Sequence, residues 1–85
     1  MNELLINFYC PSTSKHYDFW ISETITVEKV INQICDDICS FENKQDVFQN
    51  RQTLILCSYL NKKVLPMDFT IAQAGIRSGD RLALV

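Results

Sequence analysis

Four cysteines, one histidine and the pair Asp36-Asp37 carry most of the chemistry open to this 85-residue chain. Cys35 and Cys39 stand four apart in a segment of helical period, close enough to share a soft metal ion. The apolar stripe of that segment places Cys35 inside and Cys39 at its margin, no C-x2-C pair occurs, and His16 is distant in sequence. The closely spaced thiolates that hold a plant-type iron-sulfur cluster, C-x4-C-x2-C, are not matched either. No metal and no cofactor is expected. Four cysteines in so short a chain also allow the three pairings of a secreted disulfide scaffold. Against that, Cys10 ends an apolar run, Cys35 sits on an apolar helical face, and Cys57 lies within Leu54-Ile55-Leu56-Cys57. A reduced cysteine in such places behaves as a small hydrophobe, so the thiols read as structural.

Nucleophilic catalysis needs a base beside its nucleophile. His16 follows the turn formers Pro11-Ser12-Thr13-Ser14 with no evident carboxylate partner, and reads as a solvated turn residue. Asp36 and Asp37, as helical neighbours, point about 100° apart and suit an exposed face better than paired acid-base work. No phosphate loop, HExxH or GxSxG is present. The chain reads as a non-enzyme, with no catalytic residues.

With 8 Lys and Arg against 10 Asp and Glu, the net charge of -2 gives no basic field for a polyanion, which argues against nucleic acid as a partner. No apolar run approaches the ~18 residues a membrane helix requires. Met1-Asn2-Glu3 lacks the positive start of a secretory signal. The expectation is a cytoplasmic protein that is not membrane-embedded. Two separate cores in 85 residues would each fall near the ~40-residue limit for an unaided fold, so one domain over 1–85 is expected. A hydrophobic content of 47% suffices for one core and argues against disorder.

The elements that must position these residues follow from periodicity. Residues 3–10 alternate as a strand, with Leu4, Ile6, Phe8 and Cys10 on the better core face and Leu5, Asn7 and Tyr9 opposite. The turn at 11–14 predicts a hairpin to a second strand, 16–22, where Tyr17, Phe19 and Ile21 share one face and His16, Asp18 and Trp20 the other. Thr26 is a good N-cap and Glu28 suits the positive end of a helix dipole. Val27, Val30, Ile31, Ile34, Cys35 and Ile38 then draw one apolar stripe of 3.6-residue period. A helix with one such face should lie on a sheet. Residues 42–52 are polar apart from Val47 and Phe48 and predict a loop. A third strand is expected over 53–60, a turn at 61–63, a short strand at Val64-Leu65 before Pro66, and a helical turn at 71–74 capped by Thr70 and ended by Gly75. Ser78-Gly79-Asp80 marks a last turn, and 81–85 a last strand with Leu82 and Leu84 inward.

If Phe19 and Ile21 face the helix, Trp20 stands on the open face of the sheet with Leu5, Tyr9, Ala83 and Val85. An exposed tryptophan beside apolar neighbours is an interaction signal, because Trp and Tyr are enriched at binding hot spots. These five residues are the candidate protein-binding site. In the third strand both alternations are apolar, Leu54 with Leu56 or Ile55 with Cys57 and Tyr59, so the pattern leaves its outward face open.

A hairpin, a helix across the sheet and later strands returning to the same sheet make an α+β arrangement that resembles the β-grasp of ubiquitin. The passage Ile21-Ser22-Glu23-Thr24-Ile25-Thr26-Val27 resembles ubiquitin's step from second strand to capped helix. The tail Phe69-Thr70-Ile71-Ala72-Gln73-Ala74-Gly75-Ile76-Arg77-Ser78-Gly79-Asp80-Arg81-Leu82 is similar to the YukD-like family, small ubiquitin-like proteins encoded with bacterial type VII (ESX-like) secretion systems. The likeness spans nearly the whole chain except 42–52. It implies a cytoplasmic accessory protein whose partners are components of the type VII secretion machinery, recruited to a membrane complex that exports small helical WXG-type substrates. A conjugating ubiquitin or sulfur carrier needs a flexible Gly-Gly tail, whereas Leu84-Val85 ends this chain on a strand, so a non-conjugated role is expected. A general ubiquitin-like interaction module of another pathway, and a thiol-dependent redox or metal protein built on Cys35 and Cys39, are the alternatives.

Overall fold

In a computed structural model, residues 3–11, 13–42, 54–59 and 62–85 are described. They form strands β1 (Glu3–Cys10) and β2 (Lys15–Ser22), helix α1 (Val27–Phe41), and strands β3 (Leu56–Ser58), β4 (Lys63–Val64) and β5 (Arg81–Leu84). The sheet order is β2-β1-β5-β3-β4, with β1 and β5 parallel and the other neighbours antiparallel. This is the ubiquitin-like β-grasp: a mixed five-stranded sheet carrying one helix. The loop expected over 42–52 lies outside the described residues, except that Glu42 caps the C-terminus of α1.

The core lies between α1 and one face of the sheet. Ile6, Phe8 and Cys10 of β1, Ile21 of β2, Leu56 of β3 and Leu82 and Leu84 of β5 are buried against Val27, Val30, Ile31, Ile34, Cys35 and Ile38 of the helix. The third strand's ambiguity resolves in favour of Leu54, Leu56 and Ser58 inward, leaving Ile55, Cys57 and Tyr59 to the open side. Cys39, expected at the stripe margin, is instead buried at 7% exposure. The helix runs on to Phe41, so the Ile31–Cys35–Cys39 ridge continues inward for another turn.

Segment 65–76 secures the start of the helix. Backbone N–H groups in the first turn of a helix have no intrahelical acceptor. Here Val27 N–H donates to the Phe69 carbonyl (2.9 Å) and Glu28 N–H to that of Met67 (3.2 Å), while Lys29 N–H donates to Oγ1 of the N-cap Thr26 (3.4 Å). Thr70 and Gln73 then cap each other, Gln73 N–H donating to Thr70 Oγ1 (3.1 Å) and Thr70 N–H to Gln73 Oε1 (2.9 Å), which is a capping box. The turn stops at Gly75, whose φ of +77° suits glycine. Leu65, Ile71 and Ile76 enter the core from this segment.

Some bounds differ from expectation. β2 begins one residue earlier, at Lys15, and contains His16 as expected of the 16–22 strand, so His16 is not the solvated turn residue of the catalytic reading. β4 is Lys63–Val64 instead of Val64-Leu65, although the buried Leu65 continues the pairing with one bond, its N–H donating to the Leu56 carbonyl (2.8 Å). β3 is shorter than 53–60, although Ile55 and Val85 exchange two backbone hydrogen bonds beyond its end (2.8 and 3.0 Å).

Candidate protein-interaction surface

The face of the sheet away from α1 is arranged in rows that cross the strands. In the first, Trp20 of β2 lies opposite Leu5 of β1; the indole is 60% exposed and Leu5 is exposed beside it. The second row is polar: Asp18, Asn7 and Arg81 are aligned across β2, β1 and β5. Asn7 Nδ2 donates to Asp18 Oδ1 (3.0 Å), which assigns Asn7 Oδ1 as the acceptor facing His16 Nδ1 (3.0 Å). Nδ1 of His16 is therefore assigned as the donor to Asn7 Oδ1. The third row spans all five strands as His16, Tyr9, Ala83, Cys57 and Val64. The Tyr9 and His16 rings pack with centroids 4.8 Å apart. Ile55 and the exposed Val85 follow in a fourth row.

The five residues singled out from sequence thus share a face without forming one patch. Trp20 and Leu5 make one apolar cluster; Tyr9, Ala83 and Val85 belong to rows on the far side of the polar band of Asp18, Asn7 and Arg81. The parallel register of β1 and β5 causes the separation. It sets Gly79, whose N–H donates to the Leu5 carbonyl (2.8 Å), beside Leu5, and so moves Ala83 along to Tyr9. Ala83, expected on the surface, is only 7% exposed. Its methyl side chain sits in a central strand between the longer Tyr9 and Cys57 and is covered by such neighbours.

The five-residue candidate set leaves out His16, which the alternation of 16–22 puts on the side of Trp20, leaves open whether Ile55, Cys57 and Tyr59 face outward, and does not consider Val64. The apolar alternation Ile55-Cys57-Tyr59 was the available signal for three of them. His16 has the partners Asn7 and Tyr9 and is placed by strand pairing, in contrast to the solvated turn expected. Among the described residues no group of three or more His, Cys, Asp or Glu side chains could hold a metal ion. None of the four cysteines forms a disulfide among the described residues, and Cys10, Cys35 and Cys39 are buried while Cys57 is partly exposed. No helix among the described residues is long and apolar enough to cross a membrane.

No protein-family model matches the sequence, and no curated protein matches it. Solved structures do match in fold. The EccD5 ubiquitin-like domain from Mycobacterium xenopi is similar at a TM-score of 0.78 and 11% identity, over 100% of this chain and 94% of that one. A toluene 4-monooxygenase HD complex with the inhibitor 4-bromobenzoate contains a chain similar at a TM-score of 0.79 and 11% identity, covering 99% of this chain and 98% of that one. Ubiquitin of Caldiarchaeum subterraneum is similar at a TM-score of 0.70 and 15% identity, over 98% of this chain and 91% of that one. Likeness at these identities establishes a ubiquitin-like fold.

Proposed function

We propose that residues 1–85 act as one ubiquitin-like unit, an accessory protein of a bacterial type VII secretion system that binds a protein of that machinery through the open face of its sheet. The carrying observation is Trp20, which is exposed beside Leu5 on a face with no element packed over it among the described residues. A tryptophan left in water loses the stabilisation that burial of its large apolar surface would bring, and a partner that covers it recovers that term. The secretion role rests on the tail, where the Thr70 cap, Gly75-Ile76 and the turn before Gly79-Asp80-Arg81-Leu82 resemble the YukD-like ending, and it agrees with the fold shared with an EccD5 ubiquitin-like domain. Its place is the cytoplasm, at the inner side of the membrane complex. Binding rather than catalysis is the proposed activity.

The test is complementation. In a host carrying the secretion genes, a strain lacking this gene is supplied with wild type or Trp20→Ala, and export of the WXG-type substrate is measured. Export is expected to fail with Trp20→Ala while the variant accumulates and keeps its circular dichroism. Normal export would remove the open face from the secretion role. Gene neighbourhood separates this reading from a ubiquitin-like module of another pathway: an adjacent FtsK-like ATPase gene supports secretion.

A further inference from the structure

The two edges of the sheet are built differently. β4 is two residues long, follows Lys62 at a φ of +56°, carries Lys63 and is soon ended by Pro66. Short length, lysine and proline are the usual means by which an edge avoids pairing with another chain. β2, at the opposite edge, runs for eight residues in unbroken register with β1, without proline or bulge. Its one lysine, Lys15, is engaged with Glu42.

Which backbone groups of β2 face outward follows from β1. Asn7 N–H donates to the Asp80 carbonyl (3.1 Å) and the Leu5 carbonyl accepts from Gly79 (2.8 Å), so odd-numbered residues of β1 turn their peptide groups toward β5. Even-numbered ones therefore bond to β2, where their partners are Lys15, Tyr17, Phe19 and Ile21. The N–H and C=O groups of His16, Asp18 and Trp20 point away from the sheet. They form a row of donors and acceptors with the two-residue period that only another extended backbone matches.

Beside this edge runs a groove. Phe41, the last residue of α1, is 71% exposed and packs its ring near those of Phe19 (6.3 Å) and Tyr17 (6.4 Å). Phe19, Phe41, Asp37 and Ser40 line a cavity of about 360 Å3 between α1 and β2. Asp37 is half-buried there and, among the described residues, has neither a hydrogen-bond nor an ion-pair partner. A carboxylate partly withdrawn from water beside aromatic rings is complemented by a cation.

We propose that the β2 edge is a strand-addition site for an extended segment of a partner protein, with alternate apolar side chains laid on Phe19 and Phe41 and a Lys or Arg among them meeting Asp37. A second copy of this chain would offer β2 itself, whose only lysine is already held by Glu42, and would bring no cation to Asp37. The site is independent of the open face: it uses the backbone and helix side of β2, whereas the Trp20 and Leu5 side chains project from the other side.

The test selects binders for the whole chain from a displayed library of random peptides about twelve residues long, then titrates a synthetic copy of a winner into 15N-labelled protein. Winners are expected to alternate apolar residues with a Lys or Arg, and at saturation to slow hydrogen exchange at the His16, Asp18 and Trp20 amides by about tenfold or more. Exchanging the peptide's cation for Glu should weaken binding about tenfold, and Asp37→Lys should reverse that preference. Phe41→Ala, at an exposed position that preserves the fold, should weaken it about fivefold or more. An absence of binders, winners without a cation, shifts confined to Ile55, Cys57 and Val85, or indifference to Asp37→Lys would each overturn the proposal. Concentration-dependent protection of the same amides without peptide would overturn it too, by identifying a second copy as the occupant.

Discussion

Lys15 Nζ lies 3.0 Å from both carboxylate oxygens of Glu42, joining the first residue of β2 to the cap of α1. The helix has no basic residue in its last turn, and a carboxylate at that end is disfavoured by the helix dipole. Lys15 supplies the missing cation from another element, and the Tyr17 hydroxyl adds a hydrogen bond to Glu42 Oε2 (3.3 Å).

The first expectation follows from that pair. The hydrogen bond that Lys15 donates to the Glu42 carboxylate, and then the charge of that carboxylate, raise the Lys15 pKa above the ordinary 10.5. A folded-state pKa raised above the unfolded one contributes stability that is full below the unfolded value and is lost as pH rises through the folded one. The window is therefore alkaline, above about 10.5. Following the Lys15 side-chain resonances with pH should give a midpoint that falls in Glu42→Gln. An unchanged midpoint would mean that the pair does not persist in solution.

Ile34 lies at the centre of the helix stripe and is fully buried against the sheet. Ile34→Ala should cost about 2 to 5 kcal/mol in denaturant melts, the range for truncating a buried aliphatic chain with partial collapse of the cavity. A loss below about 1 kcal/mol would contradict this packing.

Two threonine caps separate by geometry. Thr70 completes a reciprocal box with Gln73 at 3.1 and 2.9 Å, whereas Thr26 accepts a single bond at 3.4 Å. Thr70→Ala should cost about 1 kcal/mol and Thr26→Ala less, since capping depends on a well-formed bond. Equal losses in thermal melts would show that the box adds nothing.

The thiols should divide three to one. Cys10, Cys35 and Cys39 are buried and Cys57 is partly exposed, so a thiol reagent should modify Cys57 in the native protein and the others only on unfolding. Cys39→Ser, which a marginal position would tolerate, is expected to destabilise because the hydroxyl enters the core. Rapid modification of more than one thiol in native buffer would contradict this burial.

Much of the fold was legible because its signals are local. β1 alternates over the whole of Glu3–Cys10, and the stripe from Val27 to Ile38 carries its own cap at Thr26. The single patch of Leu5, Tyr9, Trp20, Ala83 and Val85 was not legible in detail, since its layout depends on how β5 slides along β1. Nothing in Arg81-Leu82-Ala83-Leu84 encodes that register; it is set by the Ser78–Asp80 turn bonding to Leu5 and Asn7. The face of β3 was likewise decided by its pairing with β5, because Leu54 to Cys57 is apolar throughout.

Trp20 gives the widest separation between readings. It is the chain's one tryptophan, so its fluorescence reports on this site alone. With an exposed indole, emission should resemble that of free tryptophan in water and be quenched readily by iodide. Trp20→Ala should cost about 1 kcal/mol or less, as surface truncations do, whereas Phe8→Ala, one strand away and fully buried, should cost about 3 to 5. The same Trp20→Ala variant should lose about 2 kcal/mol or more of affinity for a partner that docks on the open face. A blue-shifted, unquenchable emission, or a stability loss approaching that of Phe8→Ala, would place the indole under cover and withdraw it as an anchor. If it is exposed yet neutral for binding, the apolar residues across the Asp18–Asn7–Arg81 band, chiefly Ile55 and Val85, become the anchors, and Val85→Ser should then carry the loss.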